Sequence, residues 1–319
     1  MSLGKNIFSN REIQWIDVPA PSQTQYNELS ELLALPESII QNCLNPDYLP
    51  HLETYGSTRF VILRIPEPVS NGNADSVQEL TTKIAIFIRD HHVISIHRIT
   101  DLHAIKEVAT TVNALSEEYA KDVNALTVLG LFFEQVALAF ENPINQLEAQ
   151  MEKFEENIFN HKRSKALLQE GYYIKRKASA YRKVLKYTLD TLSRLGPKEL
   201  WQDSRDKLER YQFYADDIFE NTQGLLGLHL SIASQRTNEA SFRTNEIMRV
   251  LTVLTIFFLP LNFIAGVFGM NFVHIPGLQH EWGFWISIGL MLVISIALFI
   301  YIAMKGWLSP VETNENYRK

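Results

Sequence analysis

Two long uncharged stretches near the C-terminal end constrain this chain more than any other feature. From Ile247 to Phe268 no charged residue follows Arg249, and none lies between Glu281 and Lys305. Each stretch reaches the roughly 20 residues that an α-helix needs to cross a hydrocarbon layer of about 30 Å. The average over the 319 residues hides them, with 46% hydrophobic, 21% charged and a mean hydropathy of −0.08. Arg243 and Arg249 precede the first span and Lys305, Arg318 and Lys319 follow the second, while Gly269 to Glu281 carries no Lys or Arg. The positive-inside rule therefore predicts two cytoplasmic termini and a short external loop, in a multi-pass protein of the inner (plasma) membrane. Trp282 and Trp285 at one edge of the second span and Trp307 at the other fit an aromatic belt.

The rest of the chain is expected to stay in the cytosol. Met1 to Pro19 contains Lys5, Arg11, Glu12 and Asp17 and no apolar run of a signal peptide. The single Cys43 cannot form an intramolecular disulfide. A net charge of −6 gives a nucleic-acid partner no electrostatic support. Without a Walker loop, dinucleotide fingerprint or nucleophile elbow, neither ATP-driven transport nor an enzyme is indicated, and no organic cofactor is expected.

The predicted fold class is α+β. Residues 1–120 read as an α/β domain, with strand-like runs at Ile13–Val18, Arg59–Ile65, Lys83–Ile88 and Val93–Ile99. Helical spacing occurs at Tyr26–Ala34 and Pro36–Leu44, and a turn is expected at Asn71-Gly72-Asn73. Residues 121–197 read as long antiparallel helices, Val123–His161 and Ser164–Leu195, ended by Gly196-Pro197. A stalk helix is expected over 198–246, continuing into a first span at 247–268. A loop (269–281), a second span (282–304) and a tail (305–319) follow. Stalk and first span together make a helix of about 70 residues, roughly 105 Å at 1.5 Å per residue. One small domain cannot support such a helix, so the stalk is expected to pack against copies of itself. Arg236-Thr237-Asn238-Glu239 recurs as Arg243-Thr244-Asn245-Glu246, an offset of seven that keeps the helix face.

Two spans cannot enclose a hydrophilic path within one chain, so the polar residues of the first span decide between a shared pore and a plain anchor. Asn245, Met248, Thr252, Thr255, Leu259, Asn262 and Gly266 advance by three or four residues each time and so share one helix face. Interhelical hydrogen bonding would account for any one of the polar members. The whole stripe is better explained by a water-filled path. It carries no carboxylate, which suits a cation that keeps most of its water, because Mg2+ dehydrates reluctantly. Leu259 and Met248 would then act as hydrophobic constrictions.

The stripe ends at Gly269-Met270-Asn271. With the run Asn245 to Thr252, then Phe258-Leu259-Pro260-Leu261-Asn262-Phe263-Ile264-Ala265-Gly266-Val267-Phe268 and Phe272, the sequence resembles the CorA family of magnesium and cobalt transporters. The resemblance implies a funnel-shaped homopentamer in the bilayer that admits Mg2+, with Co2+ and Ni2+ as further candidates. It implies that the first spans line the pore and that Gly269, Met270 and Asn271 form the outer ion-selectivity ring, Asn271 holding the hydrated ion. Asn245, Asn262 and Gly266 would offer oxygens further in, with Leu259, Met248 and Leu251 as gates. It also implies inhibition by cytosolic Mg2+, a regulatory ligand being Asp203, with Glu67 and Asp75 as candidate partners from a neighbouring copy.

The chain departs from the family pattern in its loop. His274-Ile275-Pro276-Gly277 stands where an acidic residue usually follows a Met-Pro step, and Glu281 is the only acid there. Asn262 occupies a position often held by Thr, and the tail is poor in lysine. Two other readings stay open, a Zn2+ transporter of the ZntB type, motivated by His274 and His280, and a membrane-anchored scaffold that conducts nothing. His91, His92, His97 and His103 lack the close pairing of a zinc site. Glu148, Glu152, Glu155 and Glu156 read as a solvated helix face.

Overall fold

A computed structural model of the chain describes residues 3–43, 45–67, 74–118, 123–160, 165–196, 201–271, 275 and 280–307. The Asn71-Gly72-Asn73 turn, Pro197, His274, Pro276, Gly277 and the tail with Arg318 and Lys319 lie outside the described residues.

Residues 1–229 form one compact unit. Its centre is a six-stranded sheet of β1 (Lys5–Ser9), β2 (Gln14–Pro19), β3 (His51–Tyr55), β4 (Thr58–Pro66), β5 (Thr81–Arg89) and β6 (His92–His97), in the order β1-β2-β6-β5-β4-β3. Among the described strands only the β2–β6 pair is parallel. The chain reverses between β3 and β4 at Gly56, whose φ of 58° suits glycine, and between β5 and β6 at Asp90, φ 50°. The four strand-like runs in the sequence correspond to β2, β4, β5 and β6, the strands buried in the middle of the sheet. β1 and β3 are the edges, and their partly exposed KNIFS and HLETY sequences lack the β-branched signal.

Both faces of the sheet are covered. On one lie α1 (Gln23–Leu33), opened by a capping box between Ser22 and Gln25, and α2 (Glu37–Cys43). Val18, Leu29, Leu33, Ile40, Phe60, Phe87, Ile94 and Ile96 form the core there. On the other, α5 (Ala125–Ala139) packs against β4, and Phe132 meets the edge of Trp15 at 5.5 Å. The short α3 (Val77–Leu80) and the longer α4 (His103–Glu118), α6 (Glu141–Phe159) and α7 (Lys165–Ser193) complete the unit.

The Val123–His161 stretch expected as one helix is two, separated at Phe140. Pro143 explains the break: it has no N–H for the Ala139 carbonyl and its ring crowds that carbonyl, yet it fits the first turn of a new helix. α8 (Gln202–Phe268) runs 67 residues without interruption, through Pro260. Its buried residues, Ser204, Leu208, Tyr211, Ala215, Ile218 and Thr222, step by three and four and end at Thr222. Residues 230–319 are the second unit, holding the rest of α8 and α9 (Gly283–Met304).

Candidate ion pathway

Among the described residues, three stretches are long and apolar enough to cross a membrane: Ala125–Phe159, Gln202–Phe268 and Gly283–Met304. Burial separates them. In the most apolar part of Ala125–Phe159, 39% is buried inside the protein, and Val128, Phe132, Phe133 and Val136 are core residues. The corresponding part of α8 has none of its residues buried and that of α9 has 6%. Apolar surface left bare on this scale needs a solvent other than water.

In the second unit each helix shows one half-buried stripe. On α8 from Arg249 onward it comprises Arg249, Val253, Ile256, Phe257, Pro260, Leu261 and Ile264, and on α9 Gly283, Ser287, Met291, Ile294, Ser295, Leu298 and the fully buried Ile302. Asn245, Met248, Thr252, Thr255, Leu259, Asn262 and Gly266 are all exposed. At about 3.6 residues per turn, the centres of this polar row and of the half-buried stripe lie more than about 100° apart around α8. Leu251, one residue off the row, is exposed as well.

The row presents acceptors. The Thr252 hydroxyl donates to the Met248 carbonyl at 2.7 Å, and that of Thr255 to Leu251 at 2.8 Å. With the hydroxyl proton spent inside the helix, only oxygen lone pairs face outward. Asn245 and Asn262 add amide oxygens. A Cβ on Gly266 would meet nothing within 4 Å, so packing inside the chain does not require glycine there. Gly269 and Met270 close the helix, their N–H groups donating to Ala265 and Gly266 and to Val267. Asn271 follows outside the helix, exposed.

The carboxylates considered for regulation all face cations of their own chain. Asp203, in the first turn of α8, is 2.7 Å from Lys207, which also lies 3.7 Å from Glu134. That hydrogen bond to Asp203 pushes the Lys207 amine above its ordinary pKa. Glu67 is held by both oxygens on Arg98, and Asp75 pairs with Arg176 at 3.2 Å. Among the described residues no group of three His, Cys, Asp or Glu side chains is placed to hold a metal.

The histidines resolve differently. His97 is a core residue whose Nδ1 donates to the Ile99 carbonyl at 2.6 Å and whose Nε2 faces Asp17 at 3.1 Å. Ser95 links that carboxylate to the indole N–H of Trp15. This buried chain of polar groups was not legible in the sequence, where Trp15, Asp17, Ser95 and His97 are about 80 residues apart in two pairs. Their only signal is polar residues inside two strand runs. His280 accepts from the Trp282 N–H at 3.4 Å.

A family model described as CorA-like Mg2+ transporter protein matches residues 10–305. The cobalt/magnesium transport protein CorA of Thermotoga maritima is 21% identical over 313 aligned residues, covering 92% of this chain and 83% of its own. The complete structure of the CorA magnesium transporter from Methanocaldococcus jannaschii superposes with a TM-score of 0.56 at 19% identity, over 94% of this chain and 93% of that one. The full-length CmaX protein gives 0.61 at 21% identity, over 92% and 89%.

Proposed function

Because the chain belongs to the CorA-like family of Mg2+ transporters, we propose that the exposed polar row of α8 lines a pore shared by several copies, through which Mg2+ enters the cell largely hydrated. The family consists of membrane transporters of divalent cations, with cobalt as well as magnesium in the names of its relatives. The carrying observation is that one helix presents two separate faces, one half-buried and one wholly exposed. In this reading the half-buried stripe of α8 faces α9 in a two-helix hairpin, and among the described residues no hydrogen bond joins the polar row to another element.

The chemistry of that row selects the state of the ion. A hydrated Mg2+ turns its water hydrogens outward and is solvated by acceptors, which is what Thr252, Thr255, Asn262 and the Gly266 carbonyl offer. Gly269, Met270 and Asn271 form the outer ring, Asn271 accepting from the first hydration shell. Met248, Leu251 and Leu259 narrow the path as apolar rings that close by dewetting. The assembly is a homopentamer in the inner membrane with both termini cytoplasmic, and cytosolic Mg2+ near Asp203 holds it shut.

Purified protein in liposomes tests this with a Mg2+-sensitive dye inside. Asn271→Ala is expected to lower Mg2+ influx by at least about tenfold, the weight of one or two charge-assisted hydrogen bonds. Influx into vesicles with native protein no faster than into empty ones would overturn the pore and favour a non-conducting scaffold, while influx unchanged by the substitution would remove Asn271 from the path. Cross-linking in mild detergent is expected to stop at five chains. Comparing Mg2+, Co2+, Ni2+ and Zn2+ in the same vesicles identifies the ion, a preference for Zn2+ replacing Mg2+ as cargo.

A further inference from the structure

The α1/α2-covered face of the sheet ends in a row of charge. Along β4 and β5 the directly opposed pairs run Phe60 with Phe87, Ile62 with Ala85, then Arg64 with Lys83. Two aromatic or aliphatic core pairs are thus followed by two cations side by side. Arg64 is 2% exposed and Lys83 6%. One step beyond the Ile84–His97 pair of β5 and β6 comes Arg98, which continues the row. Like charges directly opposite on neighbouring strands destabilise a sheet, and burying them costs more.

Among the described residues, neither buried cation has a carboxylate in contact. Arg64 donates all five of its N–H groups to neutral oxygens: the Thr81 hydroxyl and the carbonyls of Pro46, Tyr48, Val77 and Thr81. Lys83 donates to the Cys43 carbonyl at the end of α2, 3.3 Å away, with the Tyr48 ring 5.6 Å from its nitrogen. Its remaining ammonium hydrogens have room in a cleft of about 80 Å³ lined by Arg64, Lys83, Arg98, Thr81, Thr82, Gln78 and Pro46. Asp47, held by Gln78, and Glu67, held by Arg98, are the nearby carboxylates. Among the described residues, three cations against two carboxylates leave one positive charge over. Burial drives Lys83 down to about 8 and Arg64 to about 10, each lowered further by a neighbouring cation.

We propose that this cleft binds a small tetrahedral oxyanion of the phosphate class, Lys83 and Arg98 donating hydrogen bonds and Arg64 contributing charge. An anion there neutralises a like-charge pair that the fold otherwise carries at a cost. The cleft holds one phosphate group, and exposed Arg98 at its mouth leaves a path for the remainder of a nucleotide. The site lies in the first unit and does not depend on the pore.

Isothermal titration of the full-length protein in detergent tests it, with inorganic phosphate, sulfate and a nucleoside triphosphate as separate ligands. One saturable site per chain is expected. Tighter binding of the triphosphate would identify the anion as a nucleotide's terminal phosphate, and equal or weaker binding as the free ion. Lys83→Met keeps the aliphatic stem and removes the buried charge, and should weaken binding at least about tenfold. Arg98→Gln, at the surface, should weaken it several-fold. Sulfate, whose charge is fixed in this range, should bind less tightly as the pH rises through 8. The groups facing Lys83 are Arg64, Arg98, Cys43, Asp47 and Tyr48. Burial holds the Cys43 thiol up at about 12, clear of that window. No saturable binding of any of the three ligands at millimolar concentration, or equal binding by both variants and the native protein, would overturn the site.

Discussion

The stretch that opens with α5 and the C-terminal third of α8 both qualify as membrane helices on length and composition, the second much more apolar, and they have opposite fates. α5 opens with Asn124 capping Thr127 and then sinks Val128, Leu129, Phe132, Phe133 and Val136 into the core beside Trp15. The end of α8 leaves Phe258, Leu259 and Phe263 exposed, the last at 71%. The difference lies in what each sequence has opposite it. α5 faces a sheet of its own chain, while α8 past Thr222 has no buried residue. An apolar helix becomes a membrane helix by lacking a partner, and hydropathy alone does not see partners.

Two pairs of substitutions and one change of charge would break or sharpen this contrast. Phe132→Ala should cost roughly 3–5 kcal/mol in the thermal unfolding of the first unit, as deletion of a buried aromatic does. Phe258→Ala should leave that transition within about 0.5 kcal/mol. If both behave alike, in-chain burial is the wrong discriminator. Gly130→Ala would drive a Cβ into the Trp201 ring, so a loss of about 1–3 kcal/mol from overpacking is expected. Gly266→Ala has open space around it in the chain and should leave unfolding unchanged, while the proposed shared pore requires it to reduce Mg2+ influx. The smallest effect concerns charge. Lys83 sits near 8 in the fold against 10.5 ordinarily, so between these values the unfolded chain binds more protons than the native one. Stability should therefore rise with pH across that window, and Lys83→Met should flatten the rise in thermal melts at pH 8 and 10.

Legibility followed the same division. The central strands were readable because β-branched runs lie between turn residues, and both membrane helices because a 20-residue uncharged run has few other uses. The break at Phe140 was signalled by Pro143 alone, inside a strongly periodic stretch that argued for continuity. α4 was missed although Ile105, Val108, Val112 and Leu115 recur at helical spacing over His103–Glu118. The polar row on α8 was readable because helical spacing is local. The Trp15–Ser95–Asp17–His97 chain and the Arg64–Lys83 pair were not, because strand pairing that joins distant residues leaves no trace in either segment by itself.

Arg64 has a consequence for how the first unit comes apart. Its five bonds reach three separate segments: the chain at Pro46–Tyr48, the start of α3 at Val77, and the first residue of β5. A chain with one cysteine has no covalent cross-link to offer, and here a single guanidinium acts as a noncovalent clasp. None of the three segments can leave without stranding buried donors, so they are bound to open together. Backbone amides across that junction should then exchange with solvent as one cooperative group, at a shared rate, although little in their local secondary structure would suggest it.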